Sequence, residues 1–289
     1  MIFILLSVLF NAAIFVVFKL FDKYKIDTFQ AIVINYYFAF TVAFFSSENR
    51  FSVIKTPSED WFYGALFLGF LFITLFYIMG LTAQKLGMSV VAVAGKMSVV
   101  IPVLFGLIMY HESAGIFKII GIVLALIAVY FASHKDAKLK IDKSLLVLPF
   151  TLFIGSGILD TTLKYVQKMY VSNEQTSVYL SVIFLVAGVL GSLLLSFFII
   201  RKKSVLSLNN LFGGLILGVV NYFAMFFLLK ALQSKHLDSS TVFTMNNVAI
   251  VLFSTLLGVL FFKEKLSKMN LFGIILAIIS IFLITFSVD

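Results

Sequence analysis

Cysteine is absent from the 289 residues, so disulfides, thiol nucleophiles and cysteine metal sites are excluded. Charge is scarce. Asp, Glu, Lys and Arg make up 12% of the chain, against about a quarter in soluble domains. Histidine occurs three times, as His111, His134 and His236, each near the end of an apolar run or in a gap. HExxH, GxSxG and Walker motifs are missing, so no enzyme is expected, and neither is a cofactor or a metal. His111-Glu112 resembles half a zincin motif but lacks the second His. Proline occurs three times, and the scarcity favours helices; with the abundance of Phe, Ile and Lys it suggests a bacterial source.

What fills the chain is apolar. Hydrophobic residues make up 62%, and the mean hydropathy is +1.12. That is too much apolar surface for a water-soluble core, and the expectation is an all-α integral membrane protein. The net charge of +9 could point to nucleic acid. The Lys and Arg sit mostly in short gaps between apolar runs, which suits a bilayer surface, so no nucleic acid partner is expected.

Ten runs are long enough to span hydrocarbon as helices, at about 20 residues each. They cover about 2–18, 28–46, 61–82, 87–110, 114–133, 144–168, 175–200, 210–231, 238–262 and 268–287. The first lacks a basic leader and a cleavage site, so it reads as a retained helix.

The chain also repeats. Leu104, Gly106, Glu112, Gly121, Ile122, Leu124, Ala125 and Ile127 fall, at one constant offset, on Leu256, Gly258, Glu264, Gly273, Ile274, Leu276, Ala277 and Ile279. Ala128 falls on Ser280. An internal duplication follows, with a first five-helix repeat at 1–133, a charged linker at 134–143 and a second repeat at 144–289. Five is odd, so the second repeat enters the membrane inverted. Inverted repeats are the pattern of many secondary transporters, with a site near mid-membrane between them. The gaps after helices one, three, five, seven and nine carry roughly twice the Lys and Arg of the opposite side. That puts the linker in the cytoplasm and both termini outside.

Polar residues inside the runs are the candidate site. Lys96 lies near the middle of helix four, where a Lys costs about 2.5–3.5 kcal/mol to insert. It should face the interior or a wet cavity and find a partner, with Ser89 and Ala92 on its face. Asp160 in helix six needs a partner equally. It sits in a stripe with Ser156, Lys164 and Gln167, and pairing with Lys96 or with Lys164 is open. Helix nine carries Ser240, Thr244, Asn247 and Ser254 on one face, with Asn246 alongside. Asn11, Asn35 and Asn221 add amides in helices one, two and eight. Each alone reads as interhelical glue; jointly they suggest a central polar cavity. Gly214 and Gly218 form a GxxxG match, which usually marks close packing. The Gly121/Ala125/Ala128 and Gly273/Ala277/Ser280 faces suit tight packing of helices five and ten on each other. Glu112 and Glu264 each precede a helix start, where a carboxylate suits the dipole.

Leu107 to Glu112 with Gly121, and Val259 to Glu264 with Gly273, close the two halves in the same way. In this the chain resembles the drug/metabolite transporter superfamily, EamA-like branch. The resemblance implies a carrier of small organic solutes, often an exporter of amino acids or related metabolites. It implies a cavity built from helices one, three, four, six, eight and nine. It also implies cytoplasmic termini, the reverse of the charge count. The expected function is a secondary metabolite transporter in a bacterial inner membrane, with a small-molecule substrate and the lipid bilayer as partners. The alternative is a membrane-embedded enzyme or a non-transporting scaffold.

Overall fold

The computed structural model describes residues 1–47, 56–86, 94–112, 115–133, 143–200, 207–234, 237–262 and 267–286. Ser89, Ala92, Glu264 and the 134–142 part of the linker lie outside these residues. Ten longer helices follow one another, with no strand among the described residues. They are α1 Ile2–Tyr24, α2 Thr28–Phe45, α3 Phe62–Leu86, α4 Val100–Met109, α5 Ile116–Ser133, α6 Val147–Tyr170, α7 Thr176–Ile200, α8 Leu208–Leu232, α9 Ser239–Phe262 and α10 Lys268–Phe286. Helices satisfy their backbone N–H groups internally, save those of the first turn, which apolar surroundings favour. Five of them hold windows long and apolar enough to cross a membrane: Thr28–Phe45, Phe62–Met79, Thr176–Phe197, Leu208–Leu232 and Ser239–Phe261.

Local chemistry sets the ends. α1 runs past the expected break at Lys19 to Tyr24 and stops at Lys25, whose φ is 52°. That left-handed residue lets the Ile26 N–H reach the Phe21 carbonyl at 2.9 Å. Asp27 then caps α2 by accepting from the Gln30 N–H at 3.1 Å.

The packing runs mainly between the first five helices and the last five. Number each helix n of the first set against n + 5 of the second, and most of the contacts come in exchange pairs, with α5 on α9 an exception. α2 packs on α8, and α7 packs on α3; α1 packs on α8, and α6 on α3; α1 packs on α9, and α6 on α4. The pairs α2–α7, α4–α9 and α5–α10 are their own counterparts. One buried cluster accordingly draws on both sets, from Ile4 through Tyr36 and Leu68 to Tyr179, Leu229 and Ile284. Among the described residues, each buried cluster draws on both sets.

Glycine sets the closest approaches. A Cβ at Gly214 would lie 2.9 Å from the Ala31 carbonyl, and one at Gly218 would lie 2.6 Å from the Asn35 carbonyl. The GxxxG match therefore seats α8 against the α2 backbone. Gly69 does the same for α3 against α7, where a Cβ would lie 2.9 Å from the Ile183 carbonyl.

α5 and α10 pack on each other as their small residues imply. Gly121, Ala125, Ala128, Gly273, Ala277 and Ser280 are all buried, and Ser280 donates to the Gly121 carbonyl at 2.8 Å. The opposite faces, with Phe117, Ile120 and Val123 on α5 and Ile275, Ile278 and Phe282 on α10, are exposed and apolar. Ala277 is 1% exposed and has no room for a larger side chain. Ala277→Leu is expected to lower stability by about 1–3 kcal/mol through overpacking. Thermal denaturation in detergent measures this; an unchanged midpoint would mean the two helices separate freely.

At one end of the bundle sits Trp61, the chain's single tryptophan, just before α3. It is 1% exposed and meets the Tyr179 ring edge-on at 5.6 Å. Gln175 and Glu59 are joined nearby at 3.0 Å.

Candidate functional site

The fourth helical stretch is broken. Ala94–Met97 are helical, the hydrogen-bond ladder is interrupted at Ser98 and Val99, where Val99 keeps a helical φ of −54° and ψ of −23°, and α4 runs on from Val100. Pro102 explains this. Its ring carries no N–H and would clash with the Ser98 carbonyl in an unbroken helix. That carbonyl accepts from the Ile101 N–H at 3.0 Å instead, and the Ser98 hydroxyl turns back to the Gly95 carbonyl at 2.6 Å.

Lys96 lies in the turn before this break. Its ammonium donates to Asn247 Oδ1 of α9 at 3.2 Å. Asp160 of α6 is its electrostatic counterpart, and each feels the other's charge. The carboxylate makes no hydrogen bond among the described residues. Gly157, one turn earlier on α6, leaves the space that Ile101 occupies, and this brings α6 up to the break. Asp160 is half-buried on the inward stripe of α6, opposite the exposed Ile158. So three elements, two of them from the second set of five, bring a cation, an anion and an amide together inside an apolar bundle.

Asp160 and Lys164 do not form the local pair that their spacing permits. Lys164 donates to the Leu232 carbonyl at 2.5 Å and to Gln167 at 3.5 Å. Its charge thereby sits at the negative end of the α8 dipole.

The remaining candidates divide. Asn221 donates to Asn35 Oδ1 at 2.9 Å, and Asn35 donates to the Ile32 carbonyl at 2.7 Å. These two amides are buried and satisfy each other, holding α8 to α2. Asn11 bonds within its own helix, to the Ser7 carbonyl at 2.9 Å and the Ser7 hydroxyl at 3.3 Å. Ser7 in turn donates to the Ala224 carbonyl of α8 at 3.2 Å. Thr244 donates back to the Ser240 carbonyl at 2.8 Å, as helical threonines do. Asn246 is buried and its Oδ1 has no partner among the described residues. Of the eight, Lys96, Asn247 and Asp160 are brought together by contact and charge, with Asn246 beside Asn247 on α9.

A second polar group gathers where α4, α6 and α8 end. Glu112 does serve a helix start, but not that of α5, which follows it. Its Oε1 accepts from the Ser239 N–H at 2.9 Å and from the Ser239 hydroxyl, and its Oε2 accepts from the Ser240 N–H at 2.9 Å. The carboxylate therefore caps α9, 127 residues away. Lys118, 1% exposed, pairs with Asp238 at 2.6 Å just before that cap. Lys168 lies 3.7 Å above the Tyr110 ring. The repeated Gly106 and Glu112 were the available sign of this cap: a Cβ at Gly106 would lie 2.8 Å from Glu112 Oε2. Among the described residues, no group of three His, Asp or Glu could hold a metal ion.

A family model described as the EamA-like transporter family matches residues 1–134 and again 146–286. A Haemophilus influenzae protein, described only as an uncharacterized protein, is 28% identical over 289 residues, which are 96% of each chain. A solved crystal structure superposes on 99% of this chain and 96% of its own with a TM-score of 0.77. At 11% identity that likeness is one of fold alone.

Proposed function

The chain belongs to the EamA-like transporter family, and is thus a multi-pass membrane protein that transports small molecules; on that premise we propose that it is a secondary carrier of small organic metabolites. It works by alternating access at a central polar site. All ten helices span a bacterial inner membrane as two inverted five-helix repeats, 1–133 and 144–289, joined by the 134–143 linker. The exchange-paired contacts between the two sets of helices support this layout. So does the double match of the family model.

The observation that carries the reading is the Lys96 group. A charged side chain inside an apolar bundle is costly and marks a pathway more often than a scaffold. Here it lies beside a helix break, between elements of both halves, with Asn247 within hydrogen-bond distance. The test is flux into proteoliposomes over a panel of amino acids, amines and organic acids. Uptake above protein-free vesicles, saturable and lost in Lys96→Ala, is expected. Flux that is equal in the variant, or absent for every solute, would count against a Lys96-centred carrier.

The loop charges support a cytoplasmic linker. The cysteine-free chain makes this simple to check. A Lys138→Cys protein in intact cells is expected to resist an impermeant maleimide until the membrane is opened. Labelling from outside would reverse the orientation.

A further inference from the structure

We propose that Glu112, clamped on the first turn of α9, is a latch that holds one end of the transport path shut and must release for solute to pass. Four observations converge on it. The first is where the contact falls. Glu112 follows α4 and Ser239 and Ser240 open α9, so the bond joins two helices that also meet at Lys96 and Asn247. It ties the first half to the second, at the end where α1 begins and α4, α6 and α8 stop.

The second is strain. His111, directly before Glu112, has a φ of 50°, a left-handed conformation that a histidine adopts at a cost. That turn aims the carboxylate away from α5 and at α9. The third is space. Gly106 leaves room for the carboxylate to fold back along α4; a Cβ there would lie 2.8 Å from Oε2 and 3.0 Å from the carboxyl carbon. The fourth is a second link in parallel. Lys118 of α5 meets Asp238, the residue before Ser239, at 2.6 Å. Both links consist of charged, reversible bonds, although the same end could have been closed by apolar packing. A helix N-terminus draws a carboxylate firmly, yet the bond breaks without disrupting either helix.

The latch matters only to a protein that transports, but its opening is read with no solute present. Two single-cysteine reporters suffice in this cysteine-free chain, Ser240→Cys at the latch and Thr244→Cys one turn deeper; both positions are 0% exposed. Each is combined with Glu112→Gln, which keeps the size but not the charge. Each is also combined with Gly106→Ala, which keeps the charge but displaces it. Methanethiosulfonate-ethyltrimethylammonium is the probe, on protein that elutes as a single species from size exclusion. Slow labelling of both reporters is expected in the otherwise native chain. In either variant both rates should rise by about tenfold or more, the effect of losing a charge-assisted bond. Unchanged rates in the folded variants would overturn the latch. A rise at Ser240→Cys alone would overturn it too, because that is fraying of the first turn, and Glu112 would then be a structural cap. If Glu112→Gln fails to fold, Gly106→Ala decides.

Discussion

Lys96→Ala is expected to fold and to lose at least about 99% of flux, a deficit of roughly 2.8 kcal/mol or more at 1.4 kcal/mol per tenfold. The ammonium is hydrogen-bonded to Asn247 and balances Asp160 without touching it. Removing it strands an amide oxygen, at a cost of about 1–3 kcal/mol. It also leaves the Asp160 carboxylate uncompensated. Lys96→Ala with Asp160→Ala is therefore expected to regain thermal stability without regaining flux. The two measurements separate the roles: the melting midpoint follows the balance of charge, and the flux follows the ammonium itself. A single variant with normal flux would reduce Lys96 to a structural residue. A double variant less stable than either single one would mean that Asp160 has another partner.

Much of this arrangement could be read from residue spacing. Apolar runs near twenty residues gave the helices, because hydrocarbon thickness sets their length. The small faces of α5 and α10 gave their contact, and the lysine at the middle of helix four called for a partner, with Asp160 as one of the candidates. The hydrogen-bond partners themselves were not legible. Asn247 stands 151 residues from Lys96; its place on the Ser240 and Thr244 face set it apart from Asn246, but not as the acceptor for that lysine. Lys164 found the Leu232 carbonyl, and a backbone acceptor leaves no mark in a sequence. Asn35 and Asn221 read singly as interhelical glue and only jointly with the other amides as a cavity; the close seating of α8 on α2 makes them a pair that ties the two helices. Glu112 was read as serving the helix that follows it, which is the local rule. The left-handed His111 sends it to α9, and φ is not written in a residue type.

Gly218→Val is expected to abolish recovery of folded protein. The new Cβ would sit 2.6 Å from the Asn35 carbonyl and 3.1 Å from the Ala39 nitrogen. Those are backbone atoms, which cannot swing aside as a side-chain end can. The helices must part, and the Asn35–Asn221 bond between them is lost with the packing. The combined penalty is about 3 kcal/mol or more, from overpacking and from a buried amide left without its partner. Size exclusion in mild detergent should show aggregate in place of a single peak. Asn221→Leu separates the two contributions, since it breaks the amide pair and leaves the glycine seat intact. It is expected to fold with its stability lowered by about 1–3 kcal/mol. A monodisperse Gly218→Val protein with an unchanged midpoint would show that α2 and α8 stand further apart than these distances.

The lone Trp61 gives the molecule an optical address. With one indole in the chain, tryptophan emission comes from a single corner, where the start of α3 meets α7. Buried and edge-on to Tyr179, that indole should emit at short wavelength and receive energy from the neighbouring phenol. Water reaching the corner would shift the band to the red, with no label attached. The glycine seat between α2 and α8 lies elsewhere in the bundle. A variant that loosens that seat while leaving the emission blue has come apart in stages; one that reddens in step with its loss of helix has come apart as a unit.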